Sequence, residues 1–247
     1  MYEARLYRNS MNKARFKGFR VVVGESDLWI GVNRNDWNPK MESAAWKCVV
    51  EIRSLLEEYI FRFPEFRDSF DPVPVLGNDS SVITLMKDAG FAAGTGPMAS
   101  VAGMVAQETG LYLSAKFDLT EIVVENGGDI YLQVVSPVVT RIDAGRNTNF
   151  GRIGLVIPPE MSPVGVCTSS GMFGHSVSLG QADSVTVVSS SAYLADAFAT
   201  GIANQIHTSD DIGVVTETSF TADMLSLVCI KDDQIGIKGN LKLGKTN

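Results

Sequence analysis

The chain has 247 residues, of which 45% are hydrophobic and 20% charged, a balance ordinary for a soluble globular protein of one large domain or two small ones. Its formal charge of -7 argues against a general nucleic-acid surface, although helix N-termini or a metal can still supply a local anion site. The cysteines, Cys48, Cys167 and Cys229, are far apart and odd in number, so neither a disulfide framework nor a metal spacing follows.

Met1 to Gly24 is polar and basic, without the apolar run of a signal peptide. No stretch of about 18 apolar residues marks a membrane span. A cytoplasmic protein is expected. Tyr2–Tyr7, Phe19–Val23 and Leu28–Val32 read as strands. Arg5, Arg8, Lys13, Arg15, Lys17 and Arg20 alternate with apolar residues, the pattern of a solvated strand face. Asn38-Pro39 opens a helix over Lys40–Arg62, with an apolar stripe of Ala45, Cys48, Val49, Ile52, Leu55, Leu56 and Tyr59. That helix is scaffold or the contact of a homodimer. Phe63–Gly77, with three prolines, reads as an irregular connection.

Asp79 or Ser80 caps a second helix that ends at Gly90. Gly94-Thr95-Gly96-Pro97-Met98-Ala99 then enters a third helix through Val101, Val105 and Ala106. A small-residue turn at a helix start suits an anion. Its spelling mimics a dinucleotide fingerprint, which is rejected because a helix precedes it where the fingerprint needs a strand. Glu121–Glu125 is a strand leading into Asn126-Gly127-Gly128-Asp129. Those glycines make either a hairpin turn needing positive φ or a ligand-facing loop, and Asp129 can brace the turn. Ile130–Val135 and Val138–Ile142 continue a meander, and Ile153–Ile157 is a further strand.

Val164–His207 is dense in small and polar residues. Ser169, Ser170 and Gly171 form a donor-rich turn suited to phosphate or ring contacts. His175, one of only two histidines, follows and on its own can be a structural hydrogen-bonding group. After a strand at Ser184–Val188, a helix carries Leu194, Ala195, Phe198, Ala199, Ile202, Ala203 and Ile206 at helical spacing. Asp196, Thr200 and Asn204 stack on one face, flanked by the small residues Ala197 and Gly201. An Asp and a Thr oxygen one turn apart suit magnesium, which binds one or two protein oxygens together with substrate phosphates. The plain alternative is a solvated polar stripe. His207 reads as the C-terminal residue of this helix, facing its dipole. Leu225–Ile230 and Gln234–Ile237 form a closing strand pair, with Lys238–Asn247 a loose tail.

Thr168-Ser169-Ser170-Gly171, His175, a strand and Ala195-Asp196-Ala197-Phe198-Ala199-Thr200 resemble, in that order, the C-terminal signature of the ApbE family, the FAD:protein FMN transferases. Asn126-Gly127-Gly128-Asp129-Ile130 resembles the family's Gly-Gly-Asp strand turn. The match covers roughly Gly94 to His207. It is closer still to a short ApbE-like branch in which Thr-Ser-Ser-Gly is followed by Gly-His-Ser and a short strand.

The resemblance implies one α+β domain over residues 1–247, with antiparallel sheets and flanking helices around one cleft. It implies a flavin nucleotide, FAD or FMN, bound by Gly96, Gly103, Gly127, Gly128, Asp129, Thr168, Ser169, Ser170 and Gly171. Mg2+ would sit on Asp196 and Thr200, and His175 would act as general base. A hydroxyl of an acceptor protein would take FMN from FAD, or water would attack instead, giving an FAD pyrophosphatase. Neither nucleic acid nor membrane is implied. The family's Lys-Gly pair followed by Asp is altered here: Gly103 fits, but Ala102 stands for the lysine and Gln107 for the aspartate. Only nine residues separate His175 from Val185, where the family has a longer segment. These departures favour a second class, a non-catalytic binder of a phosphorylated heterocycle. The third class is a structural or assembly module on the same scaffold.

Overall fold

Alternating side chains decide the architecture, because a strand covered on both faces must be apolar on both. The computed structural model describes residues 14–144, 150, 153–171 and 179–245. Eight strands form one sheet in the order β1 (Phe16–Val23), β2 (Ser26–Asn33), β3 (Ile122–Asn126), β4 (Asp129–Gln133), β7 (Val164–Ser169), β8 (Ser184–Ser189), β9 (Met224–Lys231) and β10 (Gln234–Gly239). A second sheet has the order β11 (Lys242–Lys245), β6 (Ile153–Ile157), β5 (Val138–Arg141). Every strand pair described is antiparallel. The fold is therefore α+β, as expected.

The large sheet has a core on each face. Ile122, Val124, Cys167, Val185, Val187, Leu227 and Cys229 join the helices in one cluster. Their neighbours Val123, Val166, Val188, Val228 and Ile230 join the small sheet in the other, against Leu155 and Ile157. β3 and β8 are buried at every position for this reason.

The helices are α1 (Lys40–Arg62), α2 (Glu65–Asp68), α3 (Ser81–Ala93), α4 (Val101–Phe117), α5 (Ala192–Ala203) and α6 (Asp211–Ser219). α1 takes the expected span. Its stripe is used inside the chain: Ala45, Cys48, Val49, Ile52 and Leu56 are buried in the first core. Among the described residues no helix is long and apolar enough to cross a membrane.

The expected strand Tyr2–Tyr7 lies outside the described residues. Ser80 caps α3 through Ile83 N–H, but α3 passes Gly90 and stops at Gly94, whose φ is +67°. Gly90 instead permits close contact, since a Cβ there would lie 2.7 Å from Thr95 O. The irregular connection after α1 contains the single turn α2. The meander does not continue through β5. Val134 N–H is taken by Ser162 Oγ (2.7 Å) and Val135 N–H by Glu121 Oε1 (2.9 Å), and β5 pairs with β6. The tail is not loose, because β11 pairs along β6. α5 ends at Ala203, short of His207, which is exposed. His207 N–H and Thr208 N–H donate to Asp211 Oδ2 (2.9 and 2.8 Å), at the start of a helix the sequence did not signal.

Two buried ionic groups tie distant segments. Lys87 Nζ donates to Tyr59 Oη (2.8 Å), Pro74 O (2.9 Å) and Asp79 Oδ2 (2.9 Å), joining α1, α3 and the loop between them. Glu121 accepts from Arg15, Asn33 and Val135. Burial alone would raise the Glu121 carboxyl, but these donors outweigh it and hold it at about 2, against an ordinary 4.5.

Lys87→Met leaves the Asp79 carboxylate buried beside an apolar chain and should lower unfolding stability by about 3 kcal/mol in urea denaturation. Because the folded-state pKa of Glu121 is depressed, its contribution is complete above about pH 4.5 and is lost as pH falls toward 2. Glu121→Gln should flatten that acid limb in thermal melts, with a lower melting temperature at neutral pH.

Candidate functional site

α4 and α5 meet with almost no side chain between them. A Cβ on Gly103 would lie 2.2 Å from Ala192 O and 3.0 Å from Asp196 Cβ. A Cβ on Gly165 of β7 would lie 2.2 Å from Ala192 Cα, so the first residue of α5 is pressed between the strand and α4. Gly103 in the first turn of α4 and Ala192 at the start of α5 are buried in this contact, where orphan N–H groups are costly. Among the described residues neither flanking serine caps its helix: Ser100 and Ser191 make no side-chain cap bond.

Each helix supplies the cap of the other. Asp196 Oδ2 on α5 accepts from Gly103 N–H of α4 (2.8 Å), with Ala102 N–H also directed at the carboxylate. Gln107 Oε1 on α4 accepts from Ala192 N–H, the first of α5 (2.7 Å). Gly103 and Gln107 are one turn apart, as are Ala192 and Asp196. Ala192 O accepts from Cys167 Sγ–H (3.2 Å), fixing the same turn from the sheet side.

Asp196 and Asp129 are both 8% exposed. Burial first, and then the Asp129 charge, push the Asp196 carboxyl well above the usual range, against the downward pull of the Gly103 and Ala102 N–H groups. Cys167 is fully buried and its thiol is pushed up by burial, then by Asp129 and Asp196. It is no nucleophile.

Gly127 and Gly128 form the two-residue turn between β3 and β4, with φ of +73° and +112°. Gly128 N–H donates to Glu125 Oε1 (3.0 Å), and a Cβ on Gly128 would meet only Thr168 O, at 3.7 Å. The turn thus faces the end of β7 with room beside it. Asn126 Nδ2 donates to Ala102 O (3.2 Å), tying the turn to the start of α4. Gly127–Asp129, Thr168, Gly103 and Asp196 are therefore brought together.

The other expected residues are placed differently. Thr168 shares a hydroxyl bond with Thr186 (2.9 Å). Ser170 Oγ–H and Gly171 N–H both go to Ala182 O (3.4 and 2.9 Å), so two of the loop's donors hold the loop itself. Gly171 packs on Gly180. Ser169 pairs with Val185 at the end of the ladder and is half-buried. Gly96 is buried against Ser69 O, within 1.9 Å of where its Cβ would sit, a contact with the segment after α2. Thr200 is half-buried one turn beyond Asp196. The close approach at Gly201 is taken by Ala93 O of α3. Asn204 Oδ1 accepts from Leu179 N–H (3.0 Å). His175 lies outside the described residues. Among the described residues no group of three or more His, Cys, Asp or Glu is arranged to hold a metal. Asp129 is close enough to Asp196 for their charges to interact, and Thr200 lies one turn beyond Asp196 on α5. The sequence reading missed the cap by Gln107. Its signal was the four-residue step from Gly103, which puts both on one face of α4.

The family model described as AbpE bacteria matches residues 8–224. A UPF0280 protein of Methanococcus maripaludis strain C6 is 41% identical over 187 residues, covering 75% of this chain and 74% of that one. A UPF0280 protein of Methanocaldococcus jannaschii is 35% identical over 235 residues, covering 92% and 93%. Among solved structures, the flavin transferase ApbE from Vibrio cholerae matches with a TM-score of 0.54 at 13% identity, covering 94% of this chain and 97% of that one. The apo flavinyl transferase ApbE of Pseudomonas stutzeri matches at 0.52 and 13%, covering 94% of each. The last two show a shared fold. With the model matched over most of its length and relatives at this identity, the chain belongs to the AbpE bacteria family, in an ApbE-like branch with the UPF0280 proteins of methanogens.

Proposed function

We propose that the protein binds a flavin nucleotide, FAD or FMN, between the Gly127–Asp129 turn, the end of β7 and the α4–α5 contact, with Mg2+ on its phosphates. The observation that carries this is the Asp196 carboxylate, buried beside Asp129 and held by α4 N–H groups within the motif segment. Two carboxylates forced together in a dry site favour either a shared proton or a cation. With the Thr200 hydroxyl one turn away, the donor set of Asp196, Asp129 and Thr200 is hard oxygen, which suits magnesium. The resemblance to proteins titled flavin transferases supports a flavin as the ligand.

When bound, the metal would neutralise charge on the diphosphate. Asp196 would help hold it, and the Gly103 N–H orients the Asp196 carboxylate. Thr168, Ser169, Ser170 and Gly171 shape the walls, directly or through the loop bonds described above, and Gly96, packed on Ser69 O, supports the scaffold behind them. His175 is assigned the role of base toward an incoming hydroxyl, from an acceptor protein for FMN transfer or from water for pyrophosphatase action.

A second reading, a binder without transfer chemistry, is favoured by one feature. Gln107 spends its side-chain oxygen on Ala192 N–H, and Ala102 carries no charge, so neither assists a reaction.

Titrating FAD with and without Mg2+ tests the ligand. Asp196→Asn should weaken Mg-dependent binding at least about tenfold while the fold survives, and an unchanged affinity would reduce Asp196 to a helix cap. Following AMP and FMN release, with and without an acceptor peptide, tests the chemistry. General-base help is worth about 10²–10⁴-fold, so His175→Ala should slow AMP release at least about tenfold with binding retained. FAD bound but intact in wild-type protein would select the binder.

A further inference from the structure

We infer that Gln107 is a positioning residue for Asp196, acting through the first turn of α5. This rests on the proposed role of Asp196 toward metal and flavin.

Ala192 is fully buried, so water does not replace a lost partner for its N–H. Gln107 Oε1 is that partner at 2.7 Å. Ala192 and Asp196 lie one turn apart on α5, and Gln107 and Gly103 one turn apart on α4. The two bonds are thus two rungs between the same helices. Between the rungs, Ala192 O sits against the Cα of Gly103 closely enough to exclude a side chain. The turn from Ala192 to Asp196 has no slack, because Gly165 and Cys167 hold its other side. Removing the Gln107 acceptor leaves a buried donor at the start of α5, which is relieved only by moving that turn. The movement carries the Asp196 carboxylate away from Gly103 N–H. Misplacement of a functional group by about 1 Å can cost about 10²-fold in function.

The test uses the full chain labelled with 15N and reads the Gly103 amide proton, which is bonded to Asp196 Oδ2 at 2.8 Å. Asp196→Asn sets the direction in which this resonance moves when the bond is weakened. Gln107→Leu is expected to move it the same way, although residue 107 does not touch Gly103, and to weaken Mg-dependent FAD binding at least about tenfold. Gln107→Glu, which keeps an acceptor oxygen at Ala192 N–H, is expected to restore both. Should Gln107→Leu not fold, Gln107→Asn, one methylene short of Ala192, carries the same comparison. A Gly103 resonance that stays in place while the Ala192 amide moves would show that Gln107 only caps α5 and would overturn the inference. So would a moved Gly103 resonance with wild-type Mg-dependent affinity. If wild-type protein takes up no FAD, the flavin reading fails, and the Gly103 resonance still decides whether Gln107 positions Asp196.

Discussion

Two helices start in the same contact, and the N–H groups of the buried Gly103 on α4 and Ala192 on α5 need partners inside the protein. A buried donor without a partner costs about 1–3 kcal/mol, so this requirement is strong enough to select side chains. The usual solution is a serine or aspartate just before the helix. Here Ser100 turns its hydroxyl to Pro97 O, and the caps come from the opposite helix. A carboxylate at a helix N-terminus also gains from the dipole, by about 0.3–1 kcal/mol and more when partly buried. Asp196 is on α5 but acts electrostatically as part of α4.

The rest of the site follows from that placement. Gly103 must lack a side chain, because Ala192 O occupies the space. Gly165 must lack one for the same reason on the sheet side. The Gly127–Gly128 turn reaches the contact through Asn126 and Ala102 O. Asp129 then falls close enough to disfavour a charge on Asp196, while the α4 N–H groups favour it. These opposing fields set how readily the Asp196 carboxyl gives up its proton.

The large sheet supplies rigidity behind the contact. Its strands are apolar on both faces because helices cover one and the β5–β6–β11 sheet covers the other. β7, which ends at Thr168 and Ser169, lies in the interior of the sheet, between β4 and β8. The loop after it is held by Ala182 O, which consumes donors that a ligand would otherwise meet. The Ser170 hydroxyl and the Gly171 N–H are thus spent within the loop, whereas a Cβ on Gly128 would meet only Thr168 O, at 3.7 Å.

Local signals were legible where one stretch decides its own structure. The stripe of α1, the Ser80 cap, the Asn126–Asp129 hairpin and the closing β9–β10 pair could all be read from spacing and turn residues. So could the motif order that carries the family resemblance, and with it Asp196. What the sequence alone did not contain was pairing at a distance. The pairing of the tail with β6 and the reciprocal caps of Gln107 and Asp196 join segments far apart in the chain, 85 residues for the Gln107 cap and 93 for the Asp196 cap, a separation at which closure entropy imposes no register, and β5 passes over β4 to pair with β6 instead. Gly96, Gly103 and Gly201 look alike in sequence, each a small residue near a motif. Only the packing makes Gly96 and Gly201 scaffold contacts and Gly103 the residue that lets α5 lay its carboxylate on α4, because a missing Cβ acquires meaning from the backbone that fills its place.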